Sequence, residues 1–306
     1  MTPITKLGLG TWALGGPYEY GWGPVNDDES IQVIKEVTSK GINWLDTAPA
    51  YGTGHAERIV GRALRSIPKS DQPEVFTKVG RVWKNSSPGE VFTDLNPKTL
   101  RRQVEQSLNR LQLDQVSCLQ IHRPDRNSPI PIEVSWERLA ELSREGYSKS
   151  IGLCNVSVEE YRRCSNITQV HYVQLPASLI RPPDLELLNE CAKNQTRTLA
   201  FSTLGSGLLT GKFALESLDP SDFRLRHRLF SKEYIDRSEV IVQRLRAVAN
   251  ELKVTIPEVA IAWTLSNTKV SSCIVGARSI EQLKGWCGAS DLHLTEEQCQ
   301  QLETMK

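Results

Sequence analysis

Four side chains capable of proton transfer lie at or just after the ends of three successive apolar segments. Asp46 ends INWLD, Lys78 ends VFTK, His122 ends CLQIH, and Tyr51 follows Asp46 in the next loop. Tyrosine is a poor acid, with an unperturbed pKa of about 10 that a nearby ammonium lowers. We expect Lys78 to supply that charge, Asp46 to keep Lys78 protonated, and His122 to donate to a substrate oxygen. Together they predict a proton donor aimed at a carbonyl oxygen that becomes an alkoxide.

This chemistry also needs a hydride, which no side chain can deliver, so a reduced nicotinamide is implied. Each residue has a plainer interpretation: Asp46 could cap a turn, Lys78 could be a solvated strand end, His122 could be a rim histidine, and Tyr51 could only pack. A Schiff base on Lys78, as in barrel aldolases, is a further alternative. That chemistry favours an apolar, unpaired lysine, and Asp46 close by argues against it.

The chain alternates between short apolar runs and longer helical patterns, without a linker or a shift in composition. Apolar residues at i, i+3 and i+4, as in Ile31, Ile34 and Val37, indicate helices. The strand-like runs are KLGLGTWAL, INWLDTA, EVFTKVG, QVSCLQIH, KSIGLCNV, VHYVQLPA, TRTLAFST and SSCIVGA. Eight such repeats predict an α/β fold, a (β/α)8 TIM barrel, as a single domain over residues 1–306 with its site at the C-terminal strand ends. A doubly wound open sheet is the alternative, although LGLGTWALGG lacks the G-x-G-x-x-G phasing.

One segment is longer than the repeat requires. Residues 204–256 contain a polar loop, SDFRLRHRLFSKEY, followed by an extra helix, RSEVIVQRLRAVANEL. Long insertions at strand exits are usually lids or binding loops. Trp22 and Trp83 could line a substrate pocket or pack on the barrel rim. Substrate specificity is expected in three loops, residues 17–26, 81–96 and 213–236.

Composition argues against several classes of partner. Lys and Arg number 37 against 36 Asp and Glu, which gives a net charge of +1 and argues against nucleic-acid or polybasic membrane binding. No stretch is apolar enough to span a bilayer, and no charged-then-apolar leader precedes the first strand. The seven cysteines form no CxxC pair, so we expect reduced core thiols, no metal site and a cytoplasmic protein. The sequence leaves the oligomeric state open.

The segment DTAPAYGTGHAERIVGRAL resembles the D-T-A-x-x-Y-G-x-G-x-x-E-x-x-x-G pattern of the aldo-keto reductases. FTKVG and LQIHRPD resemble the segments that carry the family's lysine and histidine, and the resemblance covers nearly the whole chain. It implies a catalytic tetrad of Asp46, Tyr51, Lys78 and His122. It also implies an NADPH-dependent reductase of aldehydes, or additionally ketones, with the cofactor extended across the strand ends. A cofactor-binding regulatory subunit that senses redox state is the non-catalytic alternative within the family.

Further resemblances imply contacts to the nicotinamide half of the cofactor. GLGTWA resembles the family's first strand, GLCNVS its G-x-S-N segment, and VQLPAS the strand that carries a second carboxamide partner. Cys154 replaces the common serine in G-x-S-N, and Phe201 replaces the tyrosine that usually stacks on the nicotinamide. The positions implied are Gly10, Thr11, Trp12, Asp46, Asn155, Gln174 and Phe201.

The remaining contacts concern the phosphates and the adenine. FSTLGSGLLTGK resembles the segment that wraps the diphosphate, although it could be only a turn and a helix start. GARSIEQLKGW implies Arg278 and Ser279 at the 2′-phosphate, although Ser279 could be only a helix N-cap. Trp286 stands where an adenine-binding asparagine is common, and packing is the favoured interpretation. The positions implied are Ser202, Leu204, Ser206, Leu208, Lys212, Gly276, Arg278, Ser279 and Gln282.

Overall fold

The computed structural model describes residues 3–84 and 90–303 of the chain. Its first half contains β1 (Leu7–Gly10), α1 (Asp27–Ser39), β2 (Trp44–Asp46), α2 (His55–Arg65), β3 (Glu74–Val79), β4 (Arg81–Trp83), β5 (Val91–Thr93), α3 (Pro97–Leu111), β6 (Cys118–Ile121) and α4 (Ile132–Arg144). The second half contains β7 (Ile151–Cys154), α5 (Val158–Ser165), β8 (Tyr172–Pro176), α6 (Leu185–Lys193), β9 (Arg197–Phe201), α7 (Lys232–Leu252), α8 (Ile256–Asn267), β10 (Ser272–Gly276), α9 (Ile280–Lys284) and α10 (Glu296–Glu303).

Eight of these strands close into a parallel barrel in the order β1-β10-β9-β8-β7-β6-β3-β2. Gly10 at the end of β1 is in register with Gly276 of β10 on one side and with Asp46 of β2 on the other. This closure confirms the (β/α)8 barrel and excludes the open doubly wound sheet. All eight predicted strands are barrel strands.

Five elements differ from the sequence-based expectation. The hairpin of β4 and β5 was not predicted and lies within the loop 81–96, of which residues 85–89 fall outside the described residues. Helix α10 was also not predicted. Helix α9 ends early, at Lys284, where Gly285 follows as its C-cap. Helix α7 begins at Lys232, inside the stretch predicted to be a polar loop.

The barrel interior consists of an apolar layer beneath a polar one. The lower layer is a buried cluster of Trp44, Phe76, Cys118, Tyr172, Leu199 and Ile274. Gly8 makes room for it, since a Cβ there would lie 2.1 Å from the Trp44 indole ring. Side chains two residues apart on a strand point to the same face. The next inward positions are therefore Asp46, Lys78, Gln120, Gln174, Phe201 and Gly276.

The insertion between β9 and α8 has an apolar core of its own. Phe223 and Phe230 belong to the stretch predicted to be a polar loop, yet both are buried with Leu245 and Val248 of α7. Arg224 in the same stretch forms an ion pair with the buried Asp222 at 2.7 Å. The insertion is thus an ordered cover over one side of the barrel mouth.

All seven cysteines are free thiols; six are buried and Cys287 is half-buried. Within residues 3–84 and 90–303, no helix is both long and apolar enough to cross a membrane.

Candidate active site

The ammonium of Lys78 joins three of the four predicted catalytic residues to one another. Its Nζ donates to Oδ2 of Asp46 at 2.6 Å, to the carbonyl of Thr47 at 2.9 Å, and to the hydroxyl of Tyr51 at 3.3 Å. These contacts can account for every proton of the ammonium. The structure therefore brings Asp46, Lys78 and Tyr51 together as the sequence predicted.

Asp46 is fixed by neighbours on both sides. Its second carboxylate oxygen accepts a short hydrogen bond from the side-chain amide of Gln174. Its backbone carbonyl accepts hydrogen bonds from the backbone N–H of Thr11 at 2.9 Å and from the Thr11 hydroxyl at 3.0 Å. The N-cap of the following helix is Gly54, so Asp46 is not a helix cap.

A tight turn holds Tyr51 above the barrel. Gly52 has a φ of +62°, and a Cβ there would lie 1.8 Å from the carbonyl oxygen of Gly15, so only glycine fits. The Tyr51 ring stacks against Trp12 with 6.3 Å between ring centroids and meets the His122 ring edge-on at 5.8 Å. The fourth predicted residue thus lies beside the phenol.

Burial outweighs the neighbouring ammonium in setting the acidity of Tyr51. Burial raises the pKa of Tyr51 to about 12, since the lowering by Lys78 is opposed further by the charge of Asp46. Lys78 does lower the pKa of Tyr51, as expected, but the expectation of a value below the usual one was wrong because burial has the larger effect. Burial also lowers the pKa of Lys78, but the charges of Asp46 and Tyr51 more than compensate and leave it raised. At neutral pH the phenol therefore keeps its proton and the lysine its charge.

The surroundings of His122 favour its neutral form. His122 follows β6, and its backbone N–H donates to the carbonyl of Val79 at 3.0 Å. Burial, followed by the charges of Lys78, Arg123 and Arg81, lowers the pKa of His122 well below its usual value. Its Nδ1 is buried and has no hydrogen-bond partner among the described residues. A neutral imidazole can still donate one hydrogen bond to a substrate oxygen.

A buried carboxylate beside the tetrad links three elements. Glu57 of α2 accepts hydrogen bonds from the Thr77 hydroxyl of β3 and from Nε of Arg110 in α3, both at 2.6 Å. Thr77 precedes Lys78, so Glu57 fixes the strand that carries the lysine. This observation explains why the glutamate belongs to the motif although it lies outside the cavity.

Asp46, Tyr51, Lys78 and His122 all line one large cavity of about 1050 Å³ at the C-terminal mouth of the barrel. Most of the positions expected to contact the cofactor line it too. They are Gly10, Trp12, Asp46, Asn155, Gln174, Phe201, Ser202, Leu204, Ser206, Lys212, Gly276, Arg278 and Gln282.

Three expected cofactor positions lie outside this cavity. The hydroxyl of Thr11 is committed to the Asp46 carbonyl. The side chain of Leu208 is buried in the apolar core of the insertion. Ser279 faces a smaller neighbouring pocket, where its hydroxyl caps α9 through the N–H of Gln282 at 3.2 Å. These side chains support the walls of the cavity and do not face its interior.

The two amides predicted to contact the nicotinamide both have an acceptor oxygen left unused by the residues that the structure describes. Asn155 gives its side-chain N–H to the carbonyl of His122 at 3.0 Å, and Gln174 gives its own to Asp46. Their amide oxygens accept no hydrogen bond from the described residues, which suits the N–H groups of a carboxamide. Cys154, in place of serine, places its thiol 3.5 Å from Oε1 of Gln120, and burial raises its pKa.

The far end of the cavity is cationic, which suits phosphate groups. Lys212, Arg246 and Arg278 line it. Ser206 and Gly207 have φ values of +53° and +106°, a strained turn of the kind found at ligand sites. The residues present therefore fit a dinucleotide laid from the tetrad toward β10.

Arg278 lines the cavity and also binds the loop that contains Trp22 and Pro24. Its guanidinium donates to the carbonyl of Trp22 at 3.0 Å and, through a shorter bond, to that of Pro24. Gln282 accepts from the backbone N–H of Arg278 at 2.8 Å. Because α9 has only five residues, its N-terminus is a weaker anion site than the sequence suggested.

The sequence left open whether three tryptophans line the site or only pack, and the structure shows where each one lies. Trp22 lines the cavity and stacks with Arg224, whose guanidinium carbon lies 4.4 Å from the ring centroid. Trp83 does not line the cavity and instead lies over Arg110. Trp286 is only 2% exposed and packs in the apolar core, and it also lines the cavity, so its packing role is supported while a contact to an adenine stays a prediction.

Sequence reasoning missed several polar cavity residues. Among them are Tyr18, Tyr20, Arg81, Arg123 and Arg246. Two of them had a readable signal, because Arg123 follows His122 directly and Arg81 follows the lysine segment by one glycine. The tyrosines lie in the loop 17–26, which was assigned to specificity without naming them.

Comparison with known proteins agrees with this geometry. The model of the Aldo/keto reductase family matches residues 6–306. The chain belongs to the aldo-keto reductase family. It is 32% identical over 291 residues to the aldo-keto reductase YhdN of Bacillus subtilis, covering 92% of this chain and 86% of that protein. It is 30% identical over 304 residues to the NADH-specific methylglyoxal reductase of Escherichia coli, covering 96% and 92%.

Solved structures give the same result. The glycerol dehydrogenase AKR11B4 from Gluconobacter oxydans superposes with a TM-score of 0.84 at 30% identity, covering 99% of this chain and 91% of that chain. Aldo-keto reductases are oxidoreductases that use nicotinamide cofactors and act on small carbonyl compounds. One relative is NADH-specific by name, so membership of the family does not determine whether this chain uses NADH or NADPH.

Proposed function

We propose that this aldo-keto reductase is an NADPH-dependent reductase of aldehydes, with ketones as a second substrate class. One observation carries the proposal: a buried ammonium, Lys78, lies between Asp46 and the hydroxyl of Tyr51 in the wall of a dinucleotide-sized cavity. This arrangement supplies a protonated phenol and a positive charge that stabilises the phenolate left after proton transfer.

Each residue has a distinct task in the proposed reaction. A bound reduced nicotinamide supplies the hydride. Tyr51 gives its proton to the carbonyl oxygen as that oxygen becomes negative, and Lys78, 3.3 Å away, stabilises the phenolate. Asp46 keeps Lys78 charged, and His122, a neutral donor, orients the carbonyl. The raised pKa of Tyr51 favours this direction, since the acid is protonated at neutral pH.

The preference for NADPH over NADH rests on Arg278. A guanidinium matches phosphate oxygens through paired N–H donors. Arg278 already donates to two loop carbonyls, but a guanidinium has further donors and its side chain lines the cavity. Ser279 faces the adjoining pocket and is a weaker candidate for the same phosphate.

The contacts of Lys78 disfavour the Schiff-base alternative. An aldolase lysine must be neutral to attack a carbonyl, whereas Asp46 holds Lys78 charged with a 2.6 Å ion pair. Borohydride treatment in the presence of an aldehyde or ketone should leave no adduct on Lys78. A stable adduct at this residue, identified by mass spectrometry, would favour the aldolase.

The regulatory alternative requires cofactor binding without turnover. NADPH oxidation should be followed at 340 nm (the absorbance of the reduced cofactor) with 4-nitrobenzaldehyde, then with a panel of aldehydes and ketones. Turnover that requires the aldehyde supports the reductase. Tight NADPH binding with no turnover across the panel would instead support a sensor.

The proposal includes the setting in which the enzyme works. We propose that residues 1–306 act as one domain in a reducing, cytoplasmic compartment, on free small-molecule carbonyl substrates. The free thiols, six of them buried, and the near-neutral net charge support this setting.

A further inference from the structure

Two arginines line the cavity beside the neutral His122. Arg81 begins β4, one glycine after the strand that carries Lys78, and Arg123 directly follows His122. Both line the same cavity as Tyr51. Strands β3 and β6, from which they emerge, are neighbours in the barrel, and β9 and β10 lie on its opposite side. The cations proposed to face the cofactor phosphates, such as Arg278, follow β9 and β10. Arg81 and Arg123 therefore lie on the other side of the barrel mouth.

Neither arginine has a carboxylate partner within the part of the chain that the structure describes. The guanidinium of Arg81 donates to the Thr93 hydroxyl and the Val91 carbonyl, both at 3.1 Å, and both acceptors are neutral. Among the described residues, no Asp or Glu lies within salt-bridge distance of Arg81 or Arg123. The segment 85–89, whose placement is not described, has the sequence NSSPG and contains no acid.

The surrounding charges do not neutralise the pair. Burial, and then the charge of Arg123, lower the pKa of Arg81, while Tyr20 and Glu19 act in the opposite direction. Glu19 is exposed, does not line the cavity, and its carboxylate accepts the N–H of Val91 at 3.1 Å. Two guanidinium groups thus repel each other beside the substrate's expected position, a cost that a bound anion would offset.

We propose that the physiological substrate is a carbonyl compound carrying a carboxylate or phosphate group, which Arg81 and Arg123 bind while its carbonyl meets Tyr51 and His122. This inference rests on the proposed reductase function and defines its substrate class. Arg81 is anchored by the β4–β5 hairpin and sets the position of the anion. Arg123, which is exposed and forms no such bond with the residues that the structure describes, adds charge at the rim.

A matched pair of aldehydes isolates the charge. 4-Formylbenzoate and its methyl ester share one benzaldehyde core and differ in charge, and the ester has the more electrophilic aldehyde, so a preference for the acid cannot come from intrinsic reactivity. A charge-assisted hydrogen bond changes affinity by about 10-fold or more. The wild-type kcat/KM should therefore be about 10-fold higher for the acid than for the ester. This preference should fall as salt rises, because screening weakens the attraction.

Arg123→Gln should reduce the acid-to-ester ratio of kcat/KM by about 3- to 10-fold, mainly through KM for the acid. Arg65→Gln removes one exposed charge from α2, away from the cavity, and should leave the ratio unchanged. A wild type that reduces the ester as well as the acid, or a ratio that Arg123→Gln does not alter, would overturn the inference. A preference insensitive to salt would do the same.

The same design distinguishes a carboxylate from a phosphate as the bound group. It also distinguishes failure of the anion site from failure of the proposed reductase function. Glyceraldehyde 3-phosphate is compared with glyceraldehyde, and a larger preference there than for the carboxylate pair assigns the site to phosphate. If the ester and glyceraldehyde are reduced and the charged aldehydes show no higher kcat/KM, the reductase function is supported and only the anion site is contradicted. If no aldehyde is reduced, the proposed function fails and the anion site falls with it.

Discussion

Nζ of Lys78 lies 2.6 Å from Oδ2 of Asp46, and their side chains are only 1% and 3% exposed. A buried ion pair gives little net stability, but removing one partner leaves the other charge uncompensated. Because Lys78 also donates to Tyr51, the state of this pair determines how readily the phenol can give up its proton.

Asp46→Asn should move the alkaline limb of the pH–rate profile to lower pH and reduce kcat. Burial lowers the pKa of Lys78 and the charge of Asp46 raises it, so the neutral side chain leaves burial to dominate. The rate then falls as pH rises through the lowered pKa, because a neutral amine cannot stabilise the Tyr51 phenolate. The measurement is kcat against pH for both proteins. A variant profile that superimposes on the wild type would leave Asp46 a structural residue.

Glu57→Ala should lower the free energy of unfolding, although Glu57 lies outside the cavity. The substitution leaves Arg110, whose side chain is 14% exposed, without its partner and removes the bond to Thr77. Breaking a buried pair in this way costs about 3 kcal/mol or more. Glu36→Ala is the control, since the Glu36–Lys40 pair is about one-third exposed and such pairs contribute less than about 1 kcal/mol. Equal melting temperatures for the two variants would contradict a structural role for Glu57.

Arg278→Ala should weaken NADPH binding by about 10-fold or more and NADH binding by less, because only NADPH carries the 2′-phosphate. Some loss for both cofactors is expected, since Arg278 also fastens the loop at Trp22 and Pro24. Dissociation constants come from quenching of protein fluorescence, with Lys284→Ala as an exposed control outside the cavity. Equal weakening of both cofactors would mean that Arg278 serves the loop alone, and a wild type that prefers NADH would contradict the phosphate site.

The barrel could be predicted because each strand carries its own signal. Apolar runs with period-two positions define Trp44 and Asp46, or Phe76 and Lys78, as members of successive inward layers. Closure of the sheet was the step that periodicity could not decide, since it depends on the pairing of β1 with β10.

The parts of the site that escaped prediction depend on long-range contacts. Nothing local shows that Thr11 turns toward the carbonyl of Asp46 or that Phe223 is buried within a polar stretch. The acidity of Tyr51 was misjudged for the same reason, because its burial depends on loops far away in the sequence. Arg81 and Arg123 were overlooked because a single arginine beside a motif is usually a solvated side chain.

Tyr51→Phe tests the central claim most directly, because it removes the proposed acid and keeps the ring that stacks against Trp12. The measurement is kcat for a confirmed aldehyde substrate, together with the NADPH dissociation constant, for the variant and the wild type. Loss of a general acid lowers kcat by about 10²- to 10⁴-fold, and the dissociation constant should remain close to that of the wild type. A kcat near the wild-type value, with NADPH binding intact, would contradict the assignment of Tyr51 as the proton donor.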